Sequence, residues 1–228
     1  MTEVDVLIEF SEDRRRDDTP EDRFSTVINL GGRDADSVWQ IMRQQAENIN
    51  DANLDYNAFI EAQNSNSTIT SVLDSVGIDI NLNLPTGTDI SWFLGINNPL
   101  DFATNLDGTS GDDIIRGGLG NDTITGNGGN DIINGGEGLD TLIYSGSSDD
   151  YQIELSPGGI ARITDNNENR DGSDGLIGIE IIEFSDGSID LRDGGTFFPP
   201  APPAQEMHKE DLKKQNCRYG DHLLVPSS

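Results

Sequence analysis

The chain has 228 residues, and its 14 Lys plus Arg stand against 42 Asp plus Glu, a formal net charge of −28. Phosphate recognition needs clustered cations, so this balance excludes nucleic acid and anionic membrane surfaces as partners; it suits a protein that gathers cations or stays expanded until they arrive. A single cysteine, Cys217, excludes an intrachain disulfide, and no apolar run approaches the roughly 18 residues of a transmembrane helix.

Residues 1–100 are expected to form a small α/β domain. The opening MTEVDVLIEFSEDRRR lacks the basic-then-apolar order of a cleavable signal peptide, so an extracellular destination implies another export route. VDVLIEF and FSTVINL read as strands on either side of the charged loop SEDRRRDDTPEDR. ADSVWQIMRQQAENIN has helical spacing at Val38, Ile41, Met42, Ala46 and Ile49. STITSVLDSV predicts a second helix, with Ile69, Val72, Leu73 and Val76 on one face and Gly77 as its stop signal. Trp39 and Trp92 are placed in the core of this unit.

Residues 55–77, DYNAFIEAQNSNSTITSVLDSVG, resemble the segment of papain-like amidases and acyltransferases in which an N-C-N motif opens a helix carrying the nucleophile. Ser65, between Asn64 and Asn66, matches that cysteine. The resemblance implies a hydrolase or acyl transferase using Ser65, or its inactive C-terminal remnant. Such chemistry needs a base, and residues 1–207 contain no histidine. Asn64, Ser65, Asn66 and Ser67 equally suit a helix N-cap, and a non-enzymatic role is preferred.

Residues 101–150 hold the strongest signal. Four nonapeptides run without a gap over residues 108–143: GTSGDDIIR, GGLGNDTIT, GNGGNDIIN and GGEGLDTLI. Glycine stands first (Gly108, Gly117, Gly126, Gly135) and fourth (Gly111, Gly120, Gly129, Gly138) in each. Aspartate is always sixth (Asp113, Asp122, Asp131, Asp140), and the eighth residue is Ile115, Ile124, Ile133 or Leu142. Glycine lets the chain bend tightly with carbonyls facing inward, and carbonyls plus a carboxylate suit calcium, which takes six to eight oxygens. Positions seven to nine form a short strand whose alternation points the eighth side chain to one face. A disordered Gly/Asn/Asp-rich linker has the same composition but no reason to hold an apolar residue at every ninth place.

This pattern is similar to that of the repeats-in-toxin, or hemolysin-type, calcium-binding proteins of bacteria. The resemblance implies a parallel β-roll with two nonapeptides per turn and ions between loops 18 residues apart. Asp113 then faces Asp131 along one edge and Asp122 faces Asp140 along the other, giving two calcium sites. The candidate ligands are those four aspartates, the first and fourth glycines of each repeat, and the third residues Ser110, Leu119, Gly128 and Glu137. The next nonapeptide, YSGSSDDYQ, keeps Asp149 at position six but loses both glycines, which leaves open a third site joining Asp131 and Asp149. Further implications are secretion through a type I export channel and a cell-surface or matrix component as partner.

Residues 151–195 read as a β-rich capping module with strands at YQIEL, IARITD, IEIIEF and SIDL around the loop NNENRDGSDG. Asp171 and Asp174 in that loop read as solvated turn carboxylates in preference to ligands of another ion. Residues 196–228 read as a proline-stiffened linker, TFFPPAPPA, and a disordered tail that holds every lysine and both histidines. That tail is either an export signal or sequence of foreign origin. The spacing of His208, Cys217 and His222 fits no zinc pattern.

Overall fold

A computed structural model describes residues 28–54, 65–84, 99–156, 160–167, 170–192 and 195–200. One compact unit covers Met1–Phe198, and a second, Pro199–Ser228, falls outside the described residues apart from its first two prolines. The expected strand VDVLIEF, most of FSTVINL and Trp92 also lie outside them.

The nonapeptides wind between two sheets, each strand crossing to the sheet its predecessor left. Strands β1 (Asn105–Asp107), β3 (Thr123–Thr125) and β5 (Thr141–Ile143) lie parallel in one sheet. Strands β2 (Ile114–Leu119) and β4 (Ile132–Glu137) lie parallel in the other. The register pairs Leu106 with Ile124, Ile124 with Leu142 and Ile115 with Ile133. Because strand side chains alternate, the centre of each three-residue segment points inward, and its neighbours stay at least partly accessible.

After β5 the chain leaves this pattern and then rejoins it. Strands β6 (Tyr151–Ser156) and β7 (Ile160–Asp165) form an antiparallel hairpin. Strand β8 (Ser173–Ile177) then lies parallel to β4, with Leu176 opposite Ile133. Strand β9 (Ile181–Phe184) lies parallel to β5, with Ile182 opposite Leu142. Antiparallel β10 (Gly187–Asp190) and β11 (Thr196–Phe198) finish the first sheet. The sheet orders are thus β1-β3-β5-β9-β10-β11 and β2-β4-β8-β7-β6. The repeat strands β2, β3, β4 and β5 and the later strands β6, β7, β9 and β10 fall where the sequence places them. Strand β8 begins inside the expected loop and β11 inside the expected linker, and both pair as strands.

The interior ladder is longer than the repeat. Leu106, Ile124, Leu142 and Ile182 stack from one sheet, and Ile115, Ile133 and Leu176 from the other; each is at most 1 % exposed. Helix α1 (Ala35–Asp51) starts at Asp34, whose carboxylate accepts the Ser37 amide, and buries Val38, Ile41, Met42 and Gln45. Ala46 is exposed and Ile49 half-buried. Trp39 is 61 % exposed rather than in the core, because it sits one residue, about 100°, round the helix from Val38. Helix α2 (Ser65–Asp74) ends where Gly77, at φ +71°, lets the Ile78 amide reach back to the Leu73 carbonyl at 3.0 Å. Leu73 and Val76 are buried and Ile69 and Val72 partly so, the face expected from their spacing.

Helix α1, the turn that follows α2 and the segment before β1 cover strand edges that would otherwise expose unpaired backbone groups. On β1 the Gln44 amide donates to the Asp107 carbonyl and accepts from the Asp107 N–H, each at 2.8 Å, while Asn48 donates to the Asn105 carbonyl at 2.9 Å. On β2 the Arg116 N–H donates to the Ser75 carbonyl at 2.9 Å, and the Phe102 N–H donates to that of Leu119 at 3.2 Å. One hydrophobic core therefore runs from Ile28 to Ile189, and the helical segment shares it with the repeats.

Candidate metal centre

Each nonapeptide turns from one sheet to the other through its glycines, and the turns stack along the two edges of the coil. At Gly129, φ is +121° and an added Cβ would lie 2.5 Å from the Gly111 carbonyl oxygen. Only glycine permits both that backbone angle and that approach. Gly120 stands in the same relation to Phe102, and Gly172 to Gly129.

The sixth-position aspartates form two ladders. Asp131 Oδ1 accepts the Asp113 N–H at 2.9 Å, and Asp140 Oδ1 accepts the Asp122 N–H at 2.8 Å, the pairings expected from 18-residue spacing. The ladders continue beyond the repeat: Asp174 Oδ1 accepts the Asp131 N–H at 2.9 Å, Glu180 Oε2 accepts the Asp140 N–H at 2.9 Å, and Asp122 Oδ1 accepts the Thr104 N–H at 2.7 Å. Asp113, Asp122, Asp131, Asp140 and Asp174 are all 3 % exposed or less.

Their second oxygens decide what the ladders are fit for. Thr109 donates to Asp113 Oδ2 from its N–H and hydroxyl, at 2.7 and 2.8 Å, and the Tyr144 hydroxyl donates to Asp174 Oδ2 at 2.7 Å. Asp122, Asp131 and Asp140 each keep Oδ2 buried with no hydrogen-bond partner among the described residues. Burial pushes these carboxyls up, and neighbouring carboxylates add to the effect: Asp122 to about 6 with Asp140 nearby, Asp131 to about 8 with Asp174 and Asp113 nearby. Asp140 moves the same way, again through burial first and then Glu180. No ion pair among the described residues reaches these three aspartates. A buried carboxylate without a partner is costly unless a cation or a proton neutralises it.

The first-position glycines line the same spaces. A Cβ at Gly126 would lie 2.6 Å from Asp131 Oδ2, and one at Gly117 would lie 2.6 Å from the Gly135 carbonyl oxygen and collide with Asp122 Oδ2. Among the described residues no three His, Cys, Asp or Glu side chains converge. The donor set is therefore a few carboxylates surrounded by backbone carbonyls, which fits a hard oxygen-seeking cation such as calcium better than a transition metal.

Leu119 pairs with Glu137 across β2 and β4, and Ser110 lies beside Gly128. Asp149 sits in a 3₁₀ turn, Ser148–Asp150, and it is Asp174 that stacks on Asp131. Asp149 keeps the nine-residue count from Asp140, but its nonapeptide lacks both glycines and turns through Ser148–Asp150 into β6 instead of stacking on the ladder. Asp171 and Asp174 are 7 % and 1 % exposed, not solvated. Asp171 accepts from the Tyr151 hydroxyl and lies 3.5 Å from Arg170, which also pairs with Asp165 and Asp150. Sequence reasoning missed Thr104, Asp174 and Glu180 as ladder members; Gly172, Asp174 and Leu176 do carry the signal, at positions four, six and eight of a displaced repeat. Ser65 is the first residue of α2, and residues 55–64, which carry the rest of the amidase-like motif, lie outside the described residues.

The search of curated proteins finds no match. Among solved structures the chain is similar to the extracellular lipase LipA from Serratia marcescens at 15 % identity, covering 46 % of this chain and 25 % of that one. The TM-score is 0.22. The family profile of the RTX calcium-binding nonapeptide repeat matches residues 107–142. Over those residues the chain carries four copies of that repeat.

Proposed function

We propose that this is a secreted, non-enzymatic calcium-binding protein whose nonapeptide segment takes up its coiled fold on binding Ca²⁺ after export. The carrying observation is the pair of buried carboxylate oxygens within the repeats, Asp122 Oδ2 and Asp131 Oδ2, that no donor among the described residues meets. The ions sit between stacked turns, residues 108–113 on 126–131 along one edge and 117–122 on 135–140 along the other. Those aspartates and the inward carbonyls of the turn residues are the donors. Calcium would neutralise the buried charge; the chain's own part is to hold the turns in register and exclude water.

Linkage explains the order of events. Extracellular calcium modules bind with dissociation constants of roughly 10⁻⁴–10⁻³ M. At tenfold excess each site contributes about 1.4 kcal/mol to folding, and at cytosolic concentrations almost nothing. An unfolded, acidic chain suits passage through a type I export channel, and the folded form suits a cell-surface or matrix setting.

Calorimetric titration with calcium, and with magnesium as control, tests this reading. Asp131→Asn keeps the acceptor for the Asp113 amide and removes the charge. It is expected to weaken calcium binding at least tenfold, while the exposed Glu47→Gln leaves binding unchanged. Equal isotherms for Asp131→Asn and wild type would refute the assignment.

A further inference from the structure

Asp140 belongs to the last matched repeat, yet its environment is that of an interior one. Asp140 Oδ2 is buried without a hydrogen-bond partner among the described residues, in a residue 0 % exposed. Across from it stands residues 178–180, which the repeat profile does not reach. One level earlier, Gly135 presents its carbonyl to Gly117 beside Asp122 Oδ2, and Asp140 receives the Asp122 amide. One level on, Gly178 presents its carbonyl to Gly135 beside Asp140 Oδ2, and Glu180 receives the Asp140 amide at 2.9 Å. Ile182 then stacks on Leu142 as Leu142 stacks on Ile124. Glutamate takes the aspartate's place, half-buried, with its second oxygen free of that amide bond.

We infer that residues 178–180 complete an additional calcium site outside the four repeats, with Asp140 Oδ2, the Gly178 carbonyl and the Glu180 carboxylate as protein donors. Two carboxylates and a carbonyl form an all-oxygen, doubly negative set, the chemistry of a hard divalent cation. The opposite ladder ends differently: there Tyr144 donates to the second oxygen of Asp174, so that carboxylate is met by a protein hydroxyl. The inference rests on the calcium reading above and extends it to residues the repeat pattern omits.

Equilibrium dialysis with labelled calcium on the full chain tests it, comparing wild type, Glu180→Gln and Glu183→Gln. Glutamine preserves the acceptor for the Asp140 amide, and Glu183 is exposed on β9. The expected result is one calcium fewer per chain, or one site weakened at least tenfold, for Glu180→Gln alone. In wild type, the ¹³C signals of the Glu180 carboxyl and the Gly178 carbonyl are expected to shift on calcium addition, a readout that does not depend on the variant folding. Unchanged number and affinity in Glu180→Gln, with a Glu180 carboxyl signal that calcium leaves in place, overturns the inference. A wild-type chain that binds no calcium overturns the parent reading as well, and so is distinguishable.

Discussion

The Gln44 side-chain amide occupies both backbone groups of Asp107, donating to its carbonyl and accepting from its N–H at 2.8 Å each. In effect α1 supplies the hydrogen bonds of a missing strand along β1, the first strand of its sheet. Gln44→Ala removes both bonds at an exposed position, where each is worth about 0.5–1.5 kcal/mol. The expected result is a fall in Tm of about 2–12 °C in saturating calcium, measured by calorimetry. The opened edge also predicts self-association, visible by sedimentation.

Stacking of the turns predicts a contrast between two glycines. Gly118, at φ +109°, has open space where a Cβ would stand; Gly129, at φ +121°, has the Gly111 carbonyl 2.5 Å away. Gly118→Ala meets only backbone strain, about 1–3 kcal/mol. Gly129→Ala adds a clash between stacked turns and is expected to lose more, with weaker calcium binding besides. Chemical denaturation of both variants in calcium measures the difference, and equal losses would mean that the turns do not pack as described.

Asp131 gives the calcium-free chain a pH dependence opposite to that of a salt-bridged carboxylate. Its folded-state pKa is raised by burial from 3.8 to about 8, so the fold binds that proton more tightly than the unfolded chain does. Stability from this group is therefore full below about pH 4 and is lost as pH rises towards 8. Asp122, pushed up to about 6, acts in the same direction. Without calcium the folded fraction should be higher at pH 5 than at pH 8, and Asp131→Asn should flatten the profile. Saturating calcium should abolish the decline, since the ion replaces the proton.

Tyr144 tests the closed end of one ladder. Its hydroxyl meets Asp174 Oδ2, while its ring lies 4.9 Å from that of Tyr151 and 5.8 Å from that of Phe184. Tyr144→Phe keeps the packing and strands one buried carboxylate oxygen, a loss of about 1–3 kcal/mol on thermal unfolding. A neutral result would mean that water reaches Asp174.

Much of this was legible in the sequence because one period set both packing and chemistry. Ile115, Ile124, Ile133 and Leu142 recur every ninth place, and a ladder with that spacing has to stack. Leu106 keeps that spacing without the aspartate that marks a repeat, while Leu176 and Ile182 belong to the same ladder but fall off the period. Thr104 and Glu180 stand where aspartate is expected, and the β6–β7 hairpin separates Leu142 from Leu176. The helical face of Val38, Ile41 and Met42 was readable, whereas Gln44 and Asn48 look like ordinary surface residues until the edge they cover is placed beside them.

The central claim is that calcium binds the orphaned carboxylates and so drives the coil to form. Circular dichroism of the full chain during a calcium titration at pH 7.5 tests it most directly. The account predicts a rise in β-structure at calcium concentrations of roughly 0.1–1 mM, reversed by chelator and displaced to higher calcium by Asp131→Asn. A spectrum that stays flat to about ten times that range, in wild type and variant alike, would contradict it.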